Sequence, residues 1–237
     1  MDLQKLLKKK VALITLGCDK NRVDAEHMLF FLKDFGFKFT ENYLDAEIVI
    51  VNTCAFIKSS REESILTILE IKNTCPKLEK LIVTGCLPQK NLEELQKDLK
   101  EADLILPLKE NKFIAKHIAS LYNVETNYVP NFCNLNRIVS TPKNYAYLKI
   151  ADGCNNFCSY CTIPFIRGRY KSLPIDKLIL EANELVNNGA EEIILIAQDV
   201  TKYGFDLYND YKLVELIKKV LSKLTGLFFV EAQKSED

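Results

Sequence analysis

The chain has 237 residues, and 48% of them are hydrophobic, enough for one large core or two modest ones. Its 32 basic and 32 acidic residues cancel, which argues against a protein that grips RNA through a general excess of positive charge. No apolar run reaches the roughly 20 residues of a membrane span, and the N-terminus lacks the long apolar stretch of a signal peptide. These features predict a cytoplasmic protein, where disulfides are rare and the eight cysteines need another explanation.

The first part of the sequence alternates strand-like and helix-like stretches. This order predicts an α/β domain with a mostly parallel sheet covered by helices. The strand-like runs are residues 11–16, 47–51, 81–84 and 104–106, and the stretches with helical spacing are 23–35, 59–72, 91–100 and 111–122.

Three of the cysteines directly follow strand-like runs. Cys18, Cys54 and Cys86 each lie just past a predicted carboxyl end, where ligands gather in parallel sheets. They are therefore candidates for one shared site, although 36 and 32 residues separate them in sequence. Cys75 and Cys133 are better explained as small buried residues.

The apolar periodicity is lost over residues 123–144, which predicts a linker between two domains. We assign the linker to residues 126–144 and the domains to residues 1–125 and 145–237. A second strand–helix series follows the linker. Its strand-like runs are 145–151, 192–197 and 227–230, its helices are 174–188 and 211–224, and a polar tail closes the chain. Because a complete eight-unit barrel takes about 200 residues or more, this part is expected to be an incomplete barrel.

The segment ADGCNNFCSYCTIP spaces three cysteines as C-x3-C-x2-C, at Cys154, Cys158 and Cys161. Three thiolates on one loop can hold three corners of a cubane iron–sulfur cluster, which leaves one iron open for a small molecule. The alternatives are a chance grouping of cysteines and a structural zinc site, but zinc normally needs a fourth Cys or His nearby. The two histidines, His27 and His117, lie far away in predicted helices.

This spacing resembles the signature of the radical S-adenosylmethionine superfamily. The resemblance narrows when four runs are taken together, because LGCDKNRVDAE (16–26), VNTCAF (51–56), TGCLPQ (84–89) and ADGCNNFCSYCTIPFIRGR (151–169) are similar to the methylthiotransferase family. The implied fold is an N-terminal methylthiotransferase domain followed by the first part of a TIM-like radical barrel, without the C-terminal TRAM domain. By this comparison the chain is interpreted as truncated.

The resemblance also implies the cofactors and the reaction. Two 4Fe-4S clusters are expected, one on Cys154, Cys158 and Cys161 and an auxiliary one on Cys18, Cys54 and Cys86. One S-adenosylmethionine donates a methyl group to a sulfur on the auxiliary cluster, and a second is cleaved to a 5′-deoxyadenosyl radical. The radical removes hydrogen from an unactivated carbon, which then takes up the methylthio group. Flavodoxin or ferredoxin is the expected electron donor.

The motif variants indicate which substrate is modified. Asp19-Lys20-Asn21 and Asp152 resemble the branch that modifies the β-carbon of an aspartate in small-subunit ribosomal protein twelve. Relatives that modify adenosine in tRNA usually carry Gln-Met-Asn and Glu at these places. A tRNA methylthiotransferase and a catalytically incomplete iron–sulfur fragment stay open as alternatives.

Four further residues are candidates for contacts with the cofactor. Tyr160 occupies a position where the superfamily often has an aromatic residue near the adenine, the alternative being a packing role. Gln198 and Asp199 end a barrel-like strand, a place where functional residues are common, and are candidates for cofactor or substrate contact, the alternative being structural capping. Arg167 is a candidate partner for a carboxylate near the cofactor, or else a solvated charge.

Overall fold

The computed structural model describes residues 1–130, 137–223 and 229–233, with side chains described up to residue 222. The chain divides into two compact units, Met1–Phe132 and Cys133–Asp237. Several predicted features lie outside the described residues. They are Cys133 with the neighbouring part of the linker, the start of the predicted strand 227–230, and the end of the polar tail. Along the described part, no helix combines the length and the apolar character needed to cross a membrane.

A five-stranded parallel sheet in the order β2-β1-β3-β4-β5 organises the first unit. The central strand β3 (IVIVNT) is buried at every position, as expected of a parallel strand covered on both faces. The strands are β1 Lys10–Thr15, β2 Lys38–Phe39, β3 Ile48–Thr53, β4 Lys80–Gly85 and β5 Leu104–Ile105. The helices are α1 Leu3–Leu6, α2 Asp19–Phe35, α3 Lys58–Thr74, α4 Cys86–Asp98 and α5 Ile114–Leu121, with 3-10 turns at Tyr43–Asp45 and Leu108–Phe113.

The second unit is built on a three-stranded parallel sheet in the order β10-β9-β6. A short antiparallel pair, β7 with β8, stands beside it. The strands are β6 Tyr145–Lys149, β7 Ala151–Asp152, β8 Lys171–Ser172, β9 Glu192–Ile196 and β10 Phe229–Gln233. The helices are α6 Ile163–Arg167, α7 Ile175–Asn187, α8 Phe205–Tyr208 and α9 Leu213–Lys223, with a 3-10 turn at Val200–Lys202. The predicted α/β class is thereby confirmed, with a parallel-sheet unit followed by a partial barrel.

Each unit has its own hydrophobic core. In the first, Met28 and Leu32 of α2 and Ile118 of α5 pack against buried residues of the sheet such as Ile50. In the second, Leu148 of β6 and Leu195 of β9 are covered by α7 and α9; the packed helix residues include Leu178, Leu185 and Leu216. A buried ion pair adds to this core, since Arg137 Nη1 lies 3.4 Å from Glu181 Oε1 with both side chains nearly inaccessible.

Two helices begin earlier than the sequence pattern predicts. α2 begins at Asp19 rather than at residue 23, because Cys18 has the extended backbone of an N-cap residue. α4 begins at Cys86 rather than at residue 91, and a non-helical backbone at Asn91 (φ −132°) interrupts it. The first turn of α2 is too polar to show an apolar period, whereas the first turn of α4 is apolar but contains Pro88 and is separated from the rest of the helix by the irregular backbone at Asn91. The short elements α1, β2, α6, β8 and α8 were not predicted.

Replacing Ile50 by alanine tests the importance of the buried central strand. Ile50 is fully buried, so Ile50→Ala should lower the free energy of unfolding by about 2–5 kcal/mol. Urea denaturation followed by circular dichroism measures the loss. Leu66 is an exposed residue of α3, and Leu66→Ala is the control, which should lower the free energy of unfolding by no more than about 0.5 kcal/mol. Equal losses in both variants would contradict the packing described above.

Candidate metal centres

The three dispersed cysteines come together at one edge of the first sheet. Thr15 pairs with Asn52, and Thr53 pairs with Gly85, so β1, β3 and β4 end side by side. Cys54 and Cys86 follow that last register pair directly, and Cys18 stands three residues beyond Thr15. Neighbouring strands lie about 4.8 Å apart, so the three loops that carry the cysteines are adjacent.

The strand order gives this edge a further property. The chain runs from β1 outward to β2 on one side and to β3, β4 and β5 on the other. In doubly wound sheets of this order, the crevice beyond the carboxyl ends at such a reversal is where ligands bind. Cys18 follows β1 and Cys54 follows β3, so both stand at that crevice.

Gly17 brings the loop of Cys18 against Cys54. A Cβ atom placed on Gly17 would lie 2.7 Å from Cys54 Cβ and 2.8 Å from Cys54 Sγ, closer than real contacts allow. The φ of Gly17 is +87°, in the region that favours glycine. Both Cys54 and Cys86 are 7% exposed, whereas Cys18 is exposed, so the site opens to solvent at the Cys18 loop.

A buried polar network holds the cysteine loops from behind. Asn21, 1% exposed in the first turn of α2, donates through Nδ2 to Leu16 O at 2.8 Å and to Thr53 O at 3.2 Å. Asn52 Nδ2 returns a hydrogen bond to Asn21 O at 2.8 Å. These bonds fasten the start of α2 to the ends of β1 and β3. Sequence reasoning missed this role, and the available signal was an asparagine at the end of an otherwise apolar strand.

Cys54 has its own support in α3. Its backbone N–H donates to Ser64 Oγ at 3.1 Å, and Ser64 is fully buried. The remaining cysteine of this unit, Cys75, ends α3 and donates through Sγ to Tyr43 O at 3.0 Å. Cys75 is thus a packed residue away from the carboxyl edge.

The cysteine loop of the second unit leaves the carboxyl end of β6. Because β6 pairs in parallel with β9, Lys149 beside Ile196, this loop and the Gln198–Asp199 segment emerge next to one another. Cys154 is buried, Cys161 is half-buried and Cys158 is exposed. The N–H of Asn156 points at Cys154 Sγ from 3.4 Å, and Cys161 N donates to Cys158 O at 3.0 Å. Hydrogen bonds to sulfur of this kind suit a thiolate.

The path of this loop depends on Gly153. Its φ is +76°, and a Cβ atom there would lie 2.3 Å from Arg169 O, so no side chain fits. At the tip, Phe157 has a φ of +48°, and the Arg169 guanidinium lies 4.4 Å from the centre of its ring. The descending limb therefore covers the ascending one.

Asp199 caps the turn that follows β9. Its carboxylate accepts from Thr201 N at 3.2 Å and from Thr201 Oγ1 at 2.6 Å. Burial opposes ionisation of Asp199, but the bonds from Thr201 and Asn156 and the nearby Lys202 hold its pKa below the usual value. Asn156 Nδ2, 3.4 Å from Asp199, links the cap to the cysteine loop. The structure thus gives Asp199 the capping role that the sequence left as an alternative.

The other predicted contact residues differ in exposure. Tyr160 is 69% exposed beside Cys161, and the side-chain amide atoms of Gln198 are buried at the end of β9. Arg167 is paired rather than solvated, because its Nη1 lies 3.2 Å from Asp152 Oδ2 and its side chain is 3% exposed. The partner Asp152 had been singled out in the sequence only as a marker of the family branch.

The donor sets fit iron–sulfur clusters better than a single ion. Among the residues that the structure describes, no three His, Cys, Asp or Glu side chains converge closely enough to hold one metal ion. A cubane is larger than an ion and holds its ligand sulfurs further apart, on loops such as these. Both triplets consist of thiols alone, the ligands that such clusters take.

Comparison with known proteins identifies both halves of the chain. Residues 10–107 match the family model described as uncharacterized protein family UPF0004, and residues 148–231 match the radical SAM superfamily. Proteins named ribosomal protein uS12 methylthiotransferase RimO are 46% identical in Caldicellulosiruptor saccharolyticus and 47% identical in Geotalea uraniireducens, over 93% and 94% of this chain. The chain is similar to RimO-type methylthiotransferases along nearly all of its length. The resemblance predicted from the motifs is therefore confirmed.

The RimO-type relatives are longer than this chain, which spans about half of their length, 52% of each of the two named. Solved structures share the fold at low identity. A cobalamin-dependent S-adenosylmethionine radical enzyme, OxsB, aligns with a TM-score of 0.58 and 13% identity over 95% of this chain and 38% of its own. The radical S-adenosylmethionine methyltransferase TsrM from Kitasatospora setae aligns at 0.56 and 11%, over 91% of this chain and 52% of its own.

The asparagine network should be measurable as stability. Asn21→Ala removes the donor to the carbonyls of Leu16, Asn52 and Thr53, so the free energy of unfolding should fall by about 1–3 kcal/mol. Asn73→Ala on the exposed face of α3 is the matched control and should change it by no more than about 0.5 kcal/mol. Urea denaturation of both variants makes the comparison, and an unaffected Asn21→Ala protein would refute the network.

Alanine substitutions at two glycines of the second unit distinguish the destabilisation caused by backbone strain from that caused by steric clash. Gly153 and Gly189 both have positive φ, but a Cβ on Gly189 would meet nothing within 4 Å. Gly189→Ala should therefore cost about 1–3 kcal/mol from strain alone, and Gly153→Ala should cost clearly more. Thermal unfolding of the two variants tests this order. A Gly153→Ala protein as stable as Gly189→Ala would show that the loop can move aside.

Proposed function

We propose that the protein is a radical S-adenosylmethionine methylthiotransferase that adds a methylthio group to the β-carbon of an aspartate in ribosomal protein uS12. The observation that carries this proposal is the meeting of Cys18, Cys54 and Cys86 at one sheet edge, in a chain that also has the C-x3-C-x2-C loop. Names of RimO relatives at 43–47% identity support the same substrate.

The two triplets would hold two 4Fe-4S clusters. Cys154, Cys158 and Cys161 are the proposed ligands of the cluster that binds S-adenosylmethionine. The proposed ligands of the auxiliary cluster are Cys18, Cys54 and Cys86. When bound, these groups supply the one-electron cleavage of S-adenosylmethionine and the sulfur that is transferred. Residues 1–125 are the proposed auxiliary-cluster domain and 145–237 the proposed radical domain, joined by a linker at 126–144.

The chain's own residues orient these groups. Asn156 N–H donates toward the Cys154 sulfur, and Gly153 lets the loop fold close to its own descending limb. The exposed ring of Tyr160 can stack on an adenine, and Gln198 and Asp199 are the proposed cofactor contacts at the adjoining strand end. The protein thereby supplies orientation and exclusion of water, while the cofactors supply the chemistry.

The proposed partners follow from the substrate. Ribosomal protein uS12 is the acceptor, and flavodoxin or ferredoxin is the proposed source of electrons. Such a reaction takes place where ribosomes are assembled, which places the proposed activity in the cytoplasm. No membrane partner is needed for this chemistry.

Iron analysis of the anaerobically reconstituted chain tests the cluster assignment. Wild-type protein should hold about eight iron atoms per chain, and a variant with alanine at Cys18, Cys54 and Cys86 about four. Alanine at Cys154, Cys158 and Cys161 should also leave about four iron atoms per chain. Of the two triple variants, only this one should abolish the formation of 5′-deoxyadenosine from S-adenosylmethionine and dithionite. Cys75→Ala, away from both sites, is the control and should bind iron as wild type does.

The substrate is tested in cells in which the gene encoding this sequence is deleted. Mass spectrometry of uS12 should show that the methylthio modification of its aspartate disappears, and that the intact gene restores it. An unchanged uS12 together with loss of methylthio-adenosine from digested tRNA would instead identify a tRNA-modifying enzyme. Iron binding without any 5′-deoxyadenosine would identify a non-catalytic iron–sulfur protein.

A further inference from the structure

The cysteine loop of the second unit is closed at its base by a short double-stranded neck. Asp152 pairs with Lys171 and Ala151 with Ser172 in antiparallel register. One step further, Cys154 N donates to Gly168 O at 3.1 Å. The backbone limbs entering and leaving the loop therefore remain joined up to the first cysteine.

One carboxylate connects three separate parts of this neck. Asp152 Oδ1 accepts from Gly153 N at 3.0 Å, and Oδ2 lies 3.1 Å from Lys149 Nζ. Arg167 Nη1, at the end of α6, lies 3.2 Å and 3.4 Å from the two oxygens. Asp152 thereby links the strand before the loop, the first turn of the loop and the helix that follows its last cysteine.

The environment of this pair makes the link strong. The Arg167 side chain is 3% exposed and that of Lys149 14%, so both cations are largely withdrawn from water. Hydrogen bonds between ionised groups are stronger than neutral ones, and screening by salt is weaker when the charges are buried. Asp152 itself is 37% exposed, so the carboxylate lies at the rim of the neck.

The tip of the loop is more exposed than its base. All residues from 155 to 160 are exposed, and they include Cys158. The tip is held by the hydrogen bonds of Asn155 and Asn156 and by the contact of Phe157 with Arg169, all at exposed residues. The buried, charged contacts that define the position of the loop lie at its base. A loose base would leave three ligands to be ordered when the cluster binds, which costs conformational entropy.

We propose that Asp152 and Arg167 are positioning residues that hold the neck of the cysteine loop and so place Cys154 for the cluster. This inference rests on the proposed function, because it takes Cys154, Cys158 and Cys161 to be the cluster ligands. Lys149 acts with them as the second cation on the same carboxylate. None of these side chains needs to touch the substrate.

The first test uses the full chain without iron, so it does not depend on the cluster. Amide hydrogen exchange is followed by NMR at Cys154, bonded to Gly168 O, and at Tyr170, bonded to Asn155 Oδ1. Asp152→Asn and Arg167→Gln should accelerate both amides about tenfold or more, because a charge-assisted bond is lost. The Leu173 amide, bonded to Ile150 O below the neck, should keep its rate.

A matched control is available in the same unit. Glu215 also receives two cations, Lys212 at 3.0 Å and Lys219 at 2.8 Å, but lies on α9. Glu215→Gln should leave the Cys154 and Tyr170 amides at the wild-type rate. Equal acceleration by Glu215→Gln, or wild-type exchange in Asp152→Asn and Arg167→Gln, would overturn the proposal.

The second test examines the loaded protein by a readout other than activity. After anaerobic reconstitution, the EPR spectrum of the reduced cluster and its change on adding S-adenosylmethionine are recorded in a background with alanine at Cys18, Cys54 and Cys86. Asp152→Asn and Arg167→Gln should broaden the spectrum, whereas Glu215→Gln should leave it as it is without these substitutions. Arg167→Lys should restore it, since the contacts to Asp152 come from one nitrogen that an ammonium can replace.

The two tests also separate this inference from the proposed function. If the triple-alanine chain with Asp152 and Arg167 unchanged takes up no cluster, the proposed function fails. The exchange rates then still decide whether the neck depends on Asp152 and Arg167. If the cluster forms and the variants give the wild-type spectrum, the positioning role is refuted and the proposed function stands.

Discussion

The parallel pairing of β1, β3 and β4 is the constraint on which the first unit depends. Parallel strands end at the same edge, and the register that sets Thr53 beside Gly85 puts Cys54 and Cys86 side by side. The helices that cover the sheet, and the asparagines that tie α2 to it, preserve this alignment. A thiol site from three distant segments is thus a consequence of backbone hydrogen bonding, completed by the close approach that Gly17 permits.

The second unit solves the same problem by a different route. Its three cysteines are close in sequence, so the sheet needs only to provide an anchor at the end of β6. The tip of this loop is exposed, so its shape depends on the neck at Asp152, which pairs with the buried Arg167. One unit therefore relies on long-range register and the other on local electrostatics.

Much of this organisation could be predicted from the sequence, because apolar strands and the residues that follow them are local signals. The strand-like runs, and with them the cysteines at the sheet edge, follow from such patterns. The early start of α2 could not be seen, because its first turn is polar and Cys18 caps it through backbone conformation alone. The contacts of Asn21 and Asp152 also escaped prediction, since each joins segments whose proximity only the folded chain creates. Asp199 shows a related limit, because an acidic residue after a strand fits a cap and a ligand equally well.

The placement of Cys18, Cys54 and Cys86 at one sheet edge divides the surface of the first unit into two zones with different freedom to vary in sequence length. Connections at the opposite edge, such as residues 75–79 before β4 and 99–103 before β5, can change length at little entropic cost. A single residue inserted inside β3 or β4 would shift the pairing and turn the following thiol to the other face. Homologous chains should therefore differ in length in the connections at the edge opposite the cysteines. They should keep constant spacing within the strands that lead to the cysteine edge.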